Sequence, residues 1–244
     1  MQSFLLIGQS NMAGRGKLQD AHEIDTSHIY TLRNGRWQTM FRPIHPDRSF
    51  SGVCLAESFA EAVAKKYETN VGLICCADGG TSLDQWQPGE LLFDNAVYQA
   101  KLAMRTSRLA GVLWHQGEAE CDNGLYGTYQ PRFERIMRAL RQELGLSDVP
   151  FIVGGLGDFL KEARGSYIHV NHALERIAAE NAMTGFASAE GLTSNSDKLH
   201  FNADSLYEFG LRYFDAFERL GGIGCQRHDN GRKEDLIRTE MELL

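Results

Sequence analysis

Apolar positions along the chain fall into two kinds of pattern. Residues 4–7 (Phe-Leu-Leu-Ile), 71–77 (Val-Gly-Leu-Ile-Cys-Cys-Ala), 110–114 (Ala-Gly-Val-Leu-Trp) and 151–155 (Phe-Ile-Val-Gly-Gly) are short unbroken apolar runs. Such runs are expected of strands buried on both faces of a parallel sheet. Residues 186–189 form a weaker fifth run. Between the runs the spacing shifts to about 3.6 residues, the period of an amphipathic helix. Leu55, Phe59, Ala62 and Val63 share one face over 51–70, and a helix is expected over 93–107. Phe133, Ile136, Met137, Leu140 and Leu144 share a face over 126–144, with Gly145 as a C-cap signal. Ile168, Ala173, Leu174 and Ile177 do so over 167–181. In a last helix Leu206, Phe209, Tyr213, Phe217 and Leu220 align behind Asn202, an N-cap residue type. Strands alternating with helices predict an α/β fold, a parallel sheet of about five strands covered by helices on both faces.

Two stretches break the alternation. Residues 15–50 have no clean period. Asn34-Gly35, between the 29–32 run and Trp37, is a hairpin signal inside a long loop that could wall a cleft. After Gly221-Gly222 the chain is polar and charged, and 234–244 has the spacing of a short amphipathic helix through Leu236, Ile237, Met241 and Leu244. The expectation is one domain over 1–222 and a tail over 223–244, the tail being either a frayed terminus or a partner or subunit contact.

Composition narrows the classes. The chain has 244 residues, 43% hydrophobic and 23% charged, enough for one large α/β domain. Its formal charge of −7 argues against nucleic acid and anionic membranes as partners and is compatible with a neutral substrate such as a sugar ester. No segment is apolar for long enough to span a membrane, and the start has no basic signal-peptide region. The expected compartment is therefore the cytoplasm, or the exterior if the chain was trimmed. Cys54, Cys75, Cys76, Cys121 and Cys225 are odd in number and contain no CxxC pair, so no disulfide framework is expected. His115 and Glu118 stand three apart, but no HExxH or Cys/His zinc spacing exists, and the two-glycine turn lacks the Lys-Ser/Thr of a phosphate loop. No metal and no cofactor are expected.

The chemistry sits where the runs end. Gly8-Gln9-Ser10-Asn11, Asp78-Gly79-Gly80-Thr81 and His115-Gln116-Gly117-Glu118 each follow an apolar run, and Asp197-Lys-Leu-His200 lies a little beyond the weak fifth run. In an open parallel sheet all strand carboxyl ends share one edge, so these turns converge. Serine is a weak nucleophile and needs a base. His200 is of the right type, and Asp197 can fix its tautomer and stabilise the imidazolium. Backbone N–H groups at Ser10 and Gly80, with the Gln116 side-chain amide, are candidate donors to an oxyanion, each worth on the order of 3 kcal/mol of barrier. Trp37 and Trp86 lie in loops where they could stack on sugar rings or simply pack.

These four motifs, in this order, resemble the sialate O-acetylesterase and acetylxylan esterase group of the SGNH (GDSL-like) hydrolases, over residues 3 to about 220. The resemblance implies a flavodoxin-like three-layer α/β/α sandwich. It also implies a metal-independent serine esterase that removes O-acetyl groups from carbohydrates through an acetyl-serine intermediate. Ser10 would be the nucleophile and His200 the base, with Asp197 the orienting acid and Glu118 a second candidate as helper acid. The amides of Ser10 and Gly80 and the Gln116 side chain would form the oxyanion hole. The third motif departs from its commonest form, with Glu120 after Ala119 where that form has aspartate. The alternatives are a broader esterase or thioesterase for longer acyl chains, and an inactive carbohydrate-binding homologue. The expected partner is an acetylated sugar, with a homo-oligomer possible.

Overall fold

The structure is a computed structural model describing residues 1–121 and 124–225. The 234–244 helix and most of the tail lie outside the described residues. Strand β1 (Gln2–Gly8) is followed by the single-turn helix α1 (Ser10–Ala13), a hairpin of β2 (Ile29–Arg33) and β3 (Arg36–Thr39), α2 (Ala56–Tyr67), β4 (Val71–Cys75) and α3 (Leu91–Ala103). Then come β5 (Arg108–His115), α4 (Tyr129–Leu144), β6 (Phe151–Gly154), α5 (Tyr167–Glu180), β7 (Thr184–Ala187) and α6 (Ala203–Arg219). The sheet order is β3-β2-β4-β1-β5-β6-β7, parallel throughout except for the β2–β3 pair.

The alternation of side chains along β1 separates two cores. Leu5 and Ile7 face a cluster containing Phe93 of α3, Phe133 of α4 and Leu174 of α5. Phe4 and Leu6 face Phe59 of α2 and Phe209 and Phe217 of α6. Both faces of the sheet are thus covered, which is why the central strands read as unbroken apolar runs. Chain order reverses around β1, with β4 on one side and β5 on the other. That reversal opens a crevice at the carboxyl edge of β1, the usual ligand position in such sheets.

The sheet has seven strands, not five. The hairpin expected within a loop is instead its edge: Ile29, Tyr30 and Thr31 pair with Val71, Gly72 and Leu73. The docking is made by Trp37, which is 7% exposed and donates its indole N–H to Thr106 Oγ1 at 3.0 Å. A Cβ at Gly72 would lie 2.6 Å from the Trp37 ring, so the absence of a side chain there makes room for the indole. β7 covers 184–187 rather than 186–189, its register set by Phe151 opposite Thr184. α2 begins at Ala56 because the preceding residues are held extended, Gly52 N bonding Gly14 O and Val53 N bonding Gly16 O.

The substitution Gly72→Ala should displace Trp37 and loosen the hairpin, lowering the unfolding free energy by about 1–3 kcal/mol. Urea denaturation checks this, and an unchanged midpoint would show that the Trp37–Gly72 contact does not lock the edge.

Candidate active site

β1 can end beside β5 only because residue 8 is glycine. Gly8 has φ +131°, and a Cβ there would lie 2.1 Å from the His115 carbonyl oxygen. Gln9 N then bonds that same oxygen at 2.9 Å, and the chain turns into α1 with Ser10 as its first residue. Ser10 is 7% exposed. Its Oγ lies 3.0 Å from His200 Nε2, and His200 Nδ1 lies 2.7 Å from Asp197 Oδ2. The carboxylate accepts the Nδ1 proton and leaves Nε2 free to take one from the serine. Asp197 Oδ1 also accepts the amides of Leu199 (2.9 Å) and His200 (3.0 Å). Partial burial pushes the Asp197 carboxyl up, but the hydrogen bonds from His200 and Leu199 outweigh it and hold its pKa below the ordinary value.

Asn11 holds the loop carrying His200. Its Oδ1 accepts the Phe201 amide at 3.1 Å, and its Nδ2 donates to Leu199 O at 3.3 Å. The same Nδ2 donates to Glu118 Oε1 at 2.5 Å. Asn11 therefore grips the backbone on both sides of His200 and is itself fixed by a carboxylate that is 1% exposed. Of the two acids considered from sequence, Asp197 is the one on the imidazole, and Glu118 meets Asn11 instead. Asn11 stood inside the first motif with no role assigned, and no one-dimensional signal marks it. His115 is a buried histidine whose Nε2 lies 3.1 Å from Gly155 O, and burial pushes its pKa down.

The turn after β4 is braced against Ser10 from the far side. A Cβ at Gly79 would sit 2.4 Å from Arg15 Nη2 and 3.5 Å from Ser10 Cβ. Asp47 accepts the Gly79 amide at 2.9 Å and pairs with both Arg15 terminal nitrogens at 2.6 and 3.1 Å. Arg48 donates to Gly79 O at 2.8 Å and pairs with Asp78 at 2.9 Å. The peptide of Gly79 is thus held by both its donor and its acceptor. Gly80 follows at φ +79°, a conformation that favours glycine. The amides of Ser10 and Gly80 donate to no acceptor among the described residues. Gln116 is fully buried and its side-chain amide donates to Thr81 O at 3.3 Å and to Glu120. Glu120, the departure from the common motif, also accepts the Leu83 amide at 2.6 Å. It therefore ties the turn after β5 to the one after β4.

Trp37 and Trp86 are both buried, so neither ring is open for a sugar to stack on. Trp86 is 1% exposed and donates its indole N–H to Thr81 Oγ1 at 3.0 Å, so it braces the Gly80 turn from inside. Trp37 locks the edge hairpin. The exposed ring of this region is Phe50, 68% exposed, with the Arg15 guanidinium 5.3 Å from its centroid.

A serine at the switch point of a three-layer parallel sheet, with an Asp-x-x-His turn within hydrogen-bond reach, is the arrangement that serine hydrolysis of an ester needs. Residues 1–219 match the family described as "Carbohydrate esterase, sialic acid-specific acetylesterase". The chain belongs to that family and is a carboxylic ester hydrolase that removes O-acetyl groups from carbohydrates. It is 29% identical over 240 residues to the Arabidopsis thaliana protein named "Probable carbohydrate esterase At4g34215", covering 88% of this chain and 90% of that protein. The X-ray structure of the Arabidopsis protein superposes with a TM-score of 0.82 at 27% identity, over 89% of this chain and 98% of that one. NanS shares the fold with a TM-score of 0.72 at 17% identity, over 90% and 97% of the two chains. A carbohydrate acetylesterase from Xanthomonas citri shares it with a TM-score of 0.67 at 16% identity, over 89% of this chain and 56% of that one.

Two expectations follow. Asn11→Ala removes the grip on both sides of His200 and should lower kcat on p-nitrophenyl acetate by roughly 10–100-fold, the scale of a misplaced catalytic group; a variant with wild-type kcat would show that the loop holds itself. The second concerns His45, in the loop beside Asp47, 1% exposed and with neither ring nitrogen hydrogen-bonded among the described residues. Burial pushes its imidazole down to about 4, so the folded state excludes a proton that the unfolded chain binds below about 6.5. Stability should therefore fall as pH drops from about 6.5 towards 4, by on the order of 3 kcal/mol from this group. Denaturation midpoints of wild type and His45→Phe across that range measure it, and identical pH slopes would rule His45 out as the source.

Proposed function

We propose that Ser10 is the nucleophile of this esterase, His200 its general base and Asp197 the carboxylate that orients His200. The observation that carries the reading is the continuous chain of two hydrogen bonds, 3.0 Å from Ser10 to His200 and 2.7 Å from His200 to Asp197. Ser10 Oγ attacks the acetyl carbonyl carbon while His200 Nε2 takes its proton. The carbonyl π pair moves to oxygen, and the Ser10 and Gly80 amides receive the resulting anion. Gln116 adds a third donor by exchanging its long bond to Thr81 O for the oxyanion. When the tetrahedral intermediate collapses, the bond to the sugar oxygen breaks and His200 passes its proton to that oxygen. Water then repeats the sequence on the acetyl-serine, releasing acetate and restoring Ser10.

Glu118 takes no proton in this scheme. It acts through Asn11, keeping the His200 loop against the serine turn. The substrate is an acetylated sugar whose ring lies over the mouth between Ser10 and Phe50. Arg15 and Arg48 are each paired with an aspartate there, so the mouth carries balanced charge. The names of the Xanthomonas citri neighbour and of the family, both acetylesterases, support a two-carbon acyl group.

Ser10→Ala should lose roughly 10⁴–10⁶-fold in kcat on p-nitrophenyl acetate, and wild type should label with a fluorophosphonate at Ser10. Retention of wild-type activity by the alanine variant would remove Ser10 from the mechanism. A rate that rises as the acyl group lengthens from two to eight carbons would favour a general esterase.

A further inference from the structure

Beside the catalytic turns, on the same edge of the sheet, lies a second pocket of about 330 Å³. It opens at the carboxyl ends of β2 and β4, under α3. Its lining residues include Asn34, at the tip of the β2–β3 hairpin, and Asn95 and Gln99 on α3, with Leu32, Ile44 and Ile74 among the apolar ones. The volume falls within the ordinary range of small-molecule sites.

The lining chemistry selects a ligand class. None of the three side-chain amides has a hydrogen-bond partner among the described residues. Each offers two N–H donors and a carbonyl acceptor, the complement of hydroxyl groups, which both donate and accept. Charge is nearly absent. Arg33 is the only charged lining residue, and it is already engaged: its guanidinium donates to Pro43 O at 2.7 Å and stacks 3.8 Å from the centroid of Phe41. The two lining cysteines offer no thiolate, because burial pushes Cys75 and Cys76 upward, Cys76 to about 12. The lining holds no carboxylate or histidine for a metal ion, and the Arg33 Nη2 is already spent on the Phe41 and Pro43 carbonyls. A neutral polyhydroxylated ring would place its hydroxyls on the amides and its C–H face on the aliphatic lining.

Position ties the pocket to the reaction. Cys76 in its wall is two residues before Asp78, and Pro46 in its wall immediately precedes Asp47, which holds the Gly79 amide. β4 is the neighbour of β1, and β2 the neighbour of β4. At about 4.8 Å per strand the pocket lies roughly 5–10 Å along the sheet edge from the end of β1. A short oligosaccharide spans that distance.

We propose that this pocket is a distal sugar subsite, so that the enzyme acts on acetylated oligosaccharides, binding one residue at Asn34, Asn95 and Gln99 while another presents its acetyl ester to Ser10. The proposal rests on the carbohydrate-esterase reading of the Ser10 site and adds to it a preference for chain length. Asn95 is exposed and Gln99 half-buried on a helix surface, so Asn95→Ala/Gln99→Ala should fold normally.

The test compares wild type with the double variant on three kinds of substrate: p-nitrophenyl acetate, acetylated monosaccharides, and a panel of acetylated tetrasaccharides built from xylose, glucose and sialic acid units. On at least one tetrasaccharide, wild type should exceed its monosaccharide kcat/KM by about 10-fold or more. The double variant should lose that excess while matching wild type on p-nitrophenyl acetate and the monosaccharides. Equal kcat/KM for every tetrasaccharide and its monosaccharide, or an excess untouched by the double variant, overturns the subsite. A second readout is independent of catalysis. In Ser10→Ala, the side-chain amide NMR signals of Asn95 and Gln99 should shift on adding deacetylated tetrasaccharide. Shifts without hydrolysis of any ester would leave the subsite standing and refute the catalytic reading, whereas hydrolysis with no shifts would do the reverse.

Discussion

The arrangement depends on one side chain bridging two ends of the chain. Asn11 lies one residue after Ser10, and through its amide it holds the backbone at Leu199 and Phe201. His200 has no secondary structure of its own to hold it; it sits in the turn region preceding α6, with Lys198 in a left-handed conformation beside it. A serine–imidazole distance of 3.0 Å therefore rests on the Asn11 clamp together with the Asn195 N–H bond to His200 O at 2.8 Å, rather than on a strand of the sheet. The third partner, Glu118, is buried and accepts from Asn11 Nδ2 at 2.5 Å, which fixes the orientation of the amide. Asp197 is left to meet the imidazole.

The opposite wall is built by a different device. Asp47 and Arg48 hold the Gly79 peptide by both its ends, and Arg15 fills the space a side chain at position 79 would need. Trp86 supports the same turn from the core through Thr81, and Glu120 supports it through Leu83. Donors to a developing charge are useful in proportion to how little they must move when the charge appears. The density of bonds around this turn is consistent with that demand. The segment after β3, residues 40–50, supplies Asp47, Arg48 and Phe50, and so contributes to the wall and the rim of the site.

Much of this was legible in one dimension, for a physical reason. Strands buried on both faces must be apolar throughout, so β1, β4, β5 and β6 announced themselves, and a parallel sheet puts their ends on one edge. Serine, glycine, glutamine and an Asp-x-x-His turn at those ends were enough to pick out groups that the fold brings together, Ser10, His200 and Asp197 among them. The hairpin was misplaced because its docking depends on Gly72 and Trp37, which are distant in sequence and fit only in space. Trp37 and Trp86 were open to a sugar-stacking role because residue type does not reveal burial. Asn11 went without a role because its partners stand 107 and 190 residues away. Glu118 was marked as chemically relevant by its motif, but whether it faced the imidazole or a neighbour was a question of geometry alone.

The central claim is that Ser10 carries the acetyl group between two half-reactions. Rapid mixing with an acetylated sugar, acid quenching within a turnover and peptide mass spectrometry address it directly. The account predicts the mass of one acetyl group on the peptide containing Ser10, appearing before acetate reaches its steady rate and absent from Ser10→Ala. Acetate release at full rate with that peptide unmodified, or with the acetyl group on another residue, would contradict it.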